Sequence, residues 1–351
     1  MTPLRVKSCD QTPSLHNGRV LFGSPNDNFY CVDAATGEEI WSVPAQPHPN
    51  RGQVVSDSMP GGVVYFASVL GTLYARSIED GSEVWTVEIG GDTDCAPSLD
   101  GLGRLFLGET DGVLVRAHST ATGATLWEGP SGVCLMRTVP TDAGRVYAAF
   151  RTFPGPLLCL ETELGDEVWA FEGIGANSGA TAIGHDGTIF FAEAIEAADL
   201  FAISANGQLL WRYEVNQQVL NPPIVDGDGR IYLGTVLANT IGQVHAVNPD
   251  GTAAWVKDMP NKCQPSPILA PDGTLYVSCK DKRVYAFKDP AKGDVSLNDS
   301  IDGRDIRFFI RVLFGVDDDP IRIFAADVND DEVVDATDIP LFVDILLGNE
   351  S

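Results

Sequence analysis

Between residues 12 and 289 the chain alternates short runs rich in Val, Ile, Leu, Phe and Tyr with clusters of Gly, Asp, Asn and Pro. RVLFGS (19–24), NFYCVD (28–33) and EIWSV (39–43) are one such set, and VVYFAS, TLYARS and EVWTV follow in the same order. Runs of this composition bounded by turn residues predict strands. A fourth run precedes the three, as in TPSL (12–15), APSL (96–99) and SPIL (266–269), so the predicted unit is a four-stranded antiparallel meander. The unit recurs with a marker. Gly37, Gly81, Gly123, Gly165, Gly207 and Gly251 are each followed four residues later by Trp41, Trp85, Trp127, Trp169, Trp211 and Trp255, which are all the tryptophans of the chain. Successive tryptophans are spaced 44, 42, 42, 42 and 44 apart, in the range that denotes stacked supersecondary units.

The glycine suits the last hairpin of each unit, where a residue must accept positive φ without a Cβ clash. The tryptophan suits an outer strand that needs a large apolar anchor against the next unit. Radially arranged, such units make a β-propeller. A seventh unit starts at QPSPILAPDGTLYVSCKDKRVYAFKD (264–289) and supplies three strands without the glycine hairpin or the tryptophan. In well-matched units the inner-strand proline follows the tryptophan by twelve positions, and counting back from Pro13 lands on Met1. Leu4 to Ser8 therefore occupy outer-strand register and are expected to complete the seventh blade, which removes exposed sheet edges. On the same count the chain starts in mid-strand. The stretch from Met1 to Ser14 carries no basic and apolar leader pattern, so a longer, exported precursor is expected.

From residue 294 the period vanishes. DVSLNDSIDGRD (294–305) and DVNDDEVVDATD (327–338) are two loops of one length and pattern, each followed by an amphipathic stretch. Positions 1, 3, 5, 9 and 12 carry side-chain oxygens: Asp294, Ser296, Asn298, Asp302 and Asp305 in the first loop, Asp327, Asn329, Asp331, Asp335 and Asp338 in the second. Ser300 and Val333, at position 7, would add backbone carbonyls. Calcium takes six to eight oxygens, and this spacing is that of an EF-hand loop. Asp299 and Glu332 stand at position 6, where the chain turns sharply, and strain is expected to be greater at Glu332.

The repeat, clearest in APSLDGLGRLFLGETDGVLVRAHSTATGATLW, resembles the pyrroloquinoline quinone (PQQ) repeat with its tryptophan-docking strand, over roughly residues 1–290. The tail resembles a dockerin domain with Asp in place of Glu as the last ligand. The fold expected is an all-β seven-bladed propeller (1–289), a linker (290–293) and a small all-α, EF-hand-like dockerin module (294–351). The resemblance implies two calcium ions in the tail and a cohesin-like protein partner. It also implies an extracytoplasmic location, with BamB-like scaffolds among the propeller relatives.

Charge narrows the partners. With 49 acidic and 23 basic side chains the net charge is −26, which argues against nucleic acid, because phosphate neutralisation needs a basic face. No apolar run is long enough to span a bilayer. The seven cysteines show no metal spacing and read mostly as small buried residues; Cys9 and Cys263, each four positions before an inner-strand proline of neighbouring blades, are a candidate disulfide. The five histidines are scattered, and neither HExxH nor GxSxG occurs. No catalytic residue is assigned.

Loops gathered on one propeller face would present Arg51, Arg137, Arg151, Asn177, Asn216, Asn221, Lys262 and Gln264, either as a ligand face or as solvated loop residues. The reading that follows is a non-catalytic interaction scaffold, placed in a polysaccharide-degrading or cell-surface assembly. The alternatives are a PQQ- and calcium-dependent quinoprotein dehydrogenase, whose usual adjacent Cys-Cys pair is missing here, and a glycan-active propeller enzyme. PQQ is not expected.

Overall fold

The structure, a computed structural model, describes residues 12–45, 49–90, 92–93, 95–110, 112, 115–132, 138–149, 156–172, 181–193, 198–237, 241–263, 266–288, 292–298, 300–329, 331 and 333–348. Among these residues the chain forms seven antiparallel sheets, six of four strands and one of three. Two compact units emerge, residues 1–267 with 277–284 and residues 268–276 with 285–351, the strands of the seventh sheet being divided between them.

Every complete sheet is a meander in sequence order. The first contains Ser14–His16, Arg19–Ser24, Asn28–Asp33 and Glu39–Pro44, and the third contains Ser98–Leu99, Arg104–Gly108, Val115–Ser119 and Thr125–Glu128. The seventh consists of Ile268–Leu269, Leu275–Cys279 and Arg283–Phe287. Its expected outer strand, Leu4 to Ser8, lies outside the described residues. The fold is thus the seven-bladed all-β propeller that the tryptophan period predicts, followed along the chain by a small helical module.

The register explains how each outer strand holds its indole. Opposite Trp41, Trp85, Trp127, Trp169, Trp211 and Trp255 stand Cys31, Ala75, Ala117, Cys159, Ala202 and Ala246, all small. The pairing slips by a residue immediately after each of them. A bulge at this point bends the outer strand and strengthens its twist. Two of the cysteines are therefore packing residues, and burial pushes the Cys31 and Cys159 thiols up to about 11.

The core lies between blades. Phe106, Val115 and Trp127 of the third blade pack with Val146, Leu158 and Leu160 of the fourth, and like clusters join the other neighbouring pairs from first to sixth. Among the described residues, five indoles also carry a hydrogen bond into the next blade. Nε1 of Trp41, Trp85, Trp127, Trp169 and Trp211 donates to the carbonyls of Ile78, Thr120, Thr162, Ala205 and Pro249 at 2.8–3.0 Å. The glycine of that next blade lies under the ring. A Cβ built on Gly81, Gly123, Gly165, Gly207 or Gly251 would approach the preceding tryptophan to 2.6–2.8 Å. These five glycines also have φ of +74° to +87° where they turn the hairpin. Two requirements, a left-handed backbone and an absent side chain, coincide at one residue.

The cysteine pairing differs from the expectation. Cys263 is bonded to Cys279, not to Cys9, which lies outside the described residues. The reason is local: Leu275–Cys279 is the strand that pairs with Ile268–Leu269, and Lys280 N–H donates to the Lys262 carbonyl at 3.0 Å, which brings Cys279 beside Cys263. The Cα atoms are 4.2 Å apart, close enough for a disulfide to join them.

In the second unit α1 (Asp305–Leu313), α2 (Pro320–Ala326) and α3 (Asp338–Leu346) enclose a small core of Val295, Phe309, Val312, Ala325, Ala326 and Phe342. The helices after both loops match expectation. Helix α2 falls in the stretch read as a connection; Asp319 caps it by accepting from Ile321 N–H at 2.9 Å, and Pro320 opens it.

Candidate metal centre

The tail is built twice. Phe309 and Phe342, each four positions after the last residue of its loop, stack with ring centres 4.1 Å apart and planes 10° from parallel. The two calcium-type loops lead directly into the helices that carry these rings. The loops repeat each other's hydrogen bonds closely. In the first, Asp305 accepts from Ser296 N–H and Asp302 N–H, both at 2.7 Å. In the second, Asp338 accepts from Val328 N–H at 2.8 Å, Asn329 N–H at 3.2 Å and Asp335 N–H at 2.9 Å. At the other end, Asp294 accepts from Asn298 N–H and Asp327 from Asp331 N–H, at 3.1 and 3.2 Å. The turn between is held by Asn298 accepting from Ser300 N–H and by Asp331 accepting from Val333 N–H, both at 3.0 Å. Asp302 and Asp335 accept from Arg304 and Thr337 N–H at 2.7 Å, and the Thr337 hydroxyl and N–H hold the Asp335 carboxyl below its ordinary range.

Among the described residues no three carboxylate, imidazole or thiolate groups converge on one point. The loops do not require it, since their donor set draws on Asn, Ser and backbone carbonyls as well. The test of fit is burial. Asp294, Asp305, Asp327 and Asp338, the first and last positions of both loops, are all buried, and Asp305 and Asp338 are fully so. Asp305 and Asp338 have no cation paired with them among the described residues, and carboxylates withdrawn from water call for one. Ser296 Oγ, at position 3 of the first loop, is buried with no hydrogen-bond partner among the described residues. A hard cation would satisfy both conditions. Calcium therefore fits these residues; Asp294, Ser296, Asn298, Ser300, Asp302 and Asp305 would hold it in one loop and Asp327, Asn329, Asp331, Val333, Asp335 and Asp338 in the other. Asp299 and Glu332, the position-6 residues, lie outside the described residues.

The outward sides of the two helices also repeat. Ile306, Ile310 and Phe314 follow one another at four-residue steps along α1 and its end, and Ile339, Val343 and Leu347 do so along α3; all six are exposed. Residues four apart share one helix face, so each helix presents an apolar stripe to solvent. The sequence does not mark these stripes as surface, because periodicity alone cannot tell which of two apolar faces of a short helix is covered.

Most of the proposed ligand face of the propeller falls beyond the described residues. Arg137, Arg151, Asn177 and Gln264 lie outside them, as does the side chain of Arg51, whose backbone belongs to strand Pro49–Ser56. Asn216 is exposed with φ +58°, Asn221 is half-buried, and half-buried Lys262 accepts from Lys280 N–H through its carbonyl at 3.0 Å.

Two buried histidines of the propeller are held in polar contacts. His245 takes the Tyr213 hydroxyl on Nδ1 at 3.0 Å and gives Nε2–H to Gln243 at 3.2 Å; Gln243 also accepts from Gln217, which accepts from the Thr235 hydroxyl. His118 donates Nδ1–H to the Gly123 carbonyl at 3.1 Å. Burial pulls both imidazoles down to about 4, so each is neutral at pH 7 and poorly suited to proton transfer there. Neither is legible in the sequence, because a single histidine on a strand gives no sign of its burial.

Two families match the chain, and their ranges overlap over residues 292–307. Residues 5–110 and 158–307 match the family described as outer membrane protein assembly factor BamB, and residues 292–346 match the dockerin type I domain. The outer membrane protein assembly factor BamB of Moranella endobia (strain PCIT) is 23% identical over 218 residues, covering 56% of this chain and 53% of that protein. The quinohemoprotein alcohol dehydrogenase ADH IIB of Pseudomonas putida is 24% identical over 271 residues, covering 71% of this chain but 33% of its own length. BamB from Moraxella catarrhalis superposes with a TM-score of 0.59 at 18% identity, over 80% of this chain and 83% of that one, and this likeness concerns the fold alone. The chain spans about half the length of the Moranella protein and a third of the dehydrogenase.

Proposed function

The chain belongs, through its propeller, to the family described as outer membrane protein assembly factor BamB, and from that premise we propose that it is a non-catalytic interaction scaffold working outside the cytoplasm. The propeller is the platform, and the tail is a calcium-dependent dockerin that attaches it to a cohesin-like protein, in a polysaccharide-degrading or cell-surface assembly. The observation that carries this reading is the tail: a dockerin match over 292–346 on a module with two alike loops and two exposed apolar stripes. Stripes of this kind, on otherwise acidic surface, suit a helix face that docks onto a partner. When bound, calcium would supply the positive charge that the buried aspartates need, and so hold α1 and α3 in the orientation that presents the stripes.

The test is capture by an immobilised cohesin domain. The full chain should be retained in millimolar calcium and released by a chelator, and a chain ending at residue 293 should not be retained. Ile310→Asp with Val343→Asp should also abolish retention while leaving calcium binding intact. Retention that ignores calcium, or survives loss of the tail, would refute the docking reading. The quinoprotein alternative draws support only from the likeness to the Pseudomonas dehydrogenase; cofactor absorbance and dye reduction with an alcohol, after adding PQQ and calcium, would establish it instead.

A further inference from the structure

Lys292 precedes the first calcium loop by two positions, yet its ammonium is applied to the second. Nζ donates to the backbone carbonyl of Asp327 at 2.5 Å, lies 3.8 Å from the Asp327 carboxylate, and stands 4.0 Å from the centre of the Phe324 ring. Backbone pairing fixes this placement, because Gly293 N–H donates to the Ala325 carbonyl at 2.8 Å and so lays the entrance of loop one beside the end of α2. Asp327 is the C-cap of that helix. A cation is favoured there by the unsatisfied carbonyls and by the helix dipole. Asp327 is also the first ligand of loop two. The residue that corresponds to Lys292 in the second half of the tail is Ala325, so the duplication supplies loop one with no equivalent lysine.

The asymmetry bears on the two sites. Loop two offers four carboxylates at its ligand positions and loop one offers three, which by charge alone makes the second site the tighter. One ammonium held against Asp327, on a largely buried lysine, offsets that excess, whereas the guanidinium that approaches Asp302 of loop one at 4.0 Å belongs to the exposed Arg304 and is screened by water. We infer that Lys292 is a built-in competitor for the second calcium ion, which lowers the affinity of loop two toward that of loop one. The inference rests on the calcium reading above. A divalent ion entering loop two meets the ammonium as a like charge and must displace it from Asp327 or bind beside it, and both outcomes weaken binding. The consequence is that the two loops fill over a similar calcium range, so that both stripes are presented together.

Calorimetric titration of the full chain with calcium chloride tests this. Lys292→Met keeps the aliphatic stem over Phe324 and removes the charge; it should tighten one of two sites by roughly five- to tenfold and leave the other unchanged. Lys292→Arg retains the charge and should reproduce the parent isotherm. Adding Asp331→Asn to Lys292→Met should bring the affinity back toward the parent value, because the lost carboxylate offsets the lost ammonium. The tightening should be absent when Asp338→Ala has already removed the second site. Two calcium ions bound with an isotherm unaltered by Lys292→Met would overturn the inference and leave the calcium reading standing. A parent chain that takes up no calcium would overturn both.

Discussion

Gly165 lies beneath the indole of Trp127: a Cβ placed on this glycine would come within 2.6 Å of Trp127 Cε3, while Trp127 Nε1 donates to the Thr162 carbonyl three positions before it. The hairpin of one blade is thus shaped to the tryptophan of the previous one. Gly165→Ala should cost about 2–4 kcal/mol, from left-handed strain and overpacking together. Gly144→Ala is the control. Its φ is nearly the same at +74°, but its nearest contact would be Thr162 Oγ1 at 3.8 Å, so only the strain of about 1–2 kcal/mol is expected. Equal denaturation midpoints for the two variants would remove the contact from the explanation.

Replacing the tryptophan separates its two contributions. Trp127→Ala should destabilise by about 3–5 kcal/mol through the lost apolar contacts. Trp127→Phe keeps most of that area and strips the bond to Thr162, whose carbonyl belongs to a buried residue, for about 1–3 kcal/mol. Urea unfolding of both variants, followed by fluorescence of the remaining tryptophans, provides the measurement.

Much of this was legible from spacing, and the remainder has identifiable causes. Six tryptophans at a near-constant interval disclose the blades, and Asp, Asn and Ser at fixed loop positions disclose the paired calcium-type loops. The backbone need of the hairpin accounts for Gly165 from sequence alone. The indole above it stays hidden, since that contact joins two blades a whole hairpin apart in sequence. Cys263 shows the opposite failure. Its relation to Cys9 comes from the long period, whereas its bond to Cys279 follows from local backbone pairing at one blade. Exposure of the helix stripes is hidden for a third reason, because a helix with apolar residues on two sides does not declare which side is covered.

Stability should fall on mild acidification. The imidazoles of His118 and His245 are depressed by burial from 6.5 to about 4, so the folded chain binds fewer protons than the unfolded chain between those values. Their contribution is complete above pH 6.5 and is lost as pH drops toward 4, by up to about 3 kcal/mol for each histidine. Denaturation midpoints should therefore decline from pH 7 to pH 4.5, and His118→Gln should flatten part of the slope. A parent midpoint constant over this interval would contradict the assignment.

Removing the last ligand of each loop should delete the sites one at a time. Asp305→Ala and Asp338→Ala also release the N–H groups that these carboxylates hold, so loss of order in the loop accompanies loss of calcium. With both loops intact, calcium at a hundred times its dissociation constant stabilises by about 2.7 kcal/mol per site. Helical circular dichroism and calorimetry, with and without a chelator, should record one ion fewer in each variant.

Cys263→Ser with Cys279→Ser should lower stability by about 3 kcal/mol, the typical value for a loop of this length. The bond ties the segment entering the seventh blade to that blade's second strand, and Cys263 N–H also reaches the Thr235 carbonyl of the sixth at 3.4 Å. A reductant should therefore lower the parent's midpoint and leave the double variant's unchanged.

The contact between Trp127 and Gly165 has a direction: each of the five indoles addresses the glycine ahead of it in the chain rather than the one behind. A segment one period long, cut at any phase, carries one tryptophan and one glycine. Its duplication or deletion rejoins every indole to a matching glycine at the new junction. Propellers of this kind can thus change blade number by slippage of whole periods without redesigning a single contact. What must then adjust is the angle between neighbouring blades, which alone decides whether the lengthened or shortened ring can shut.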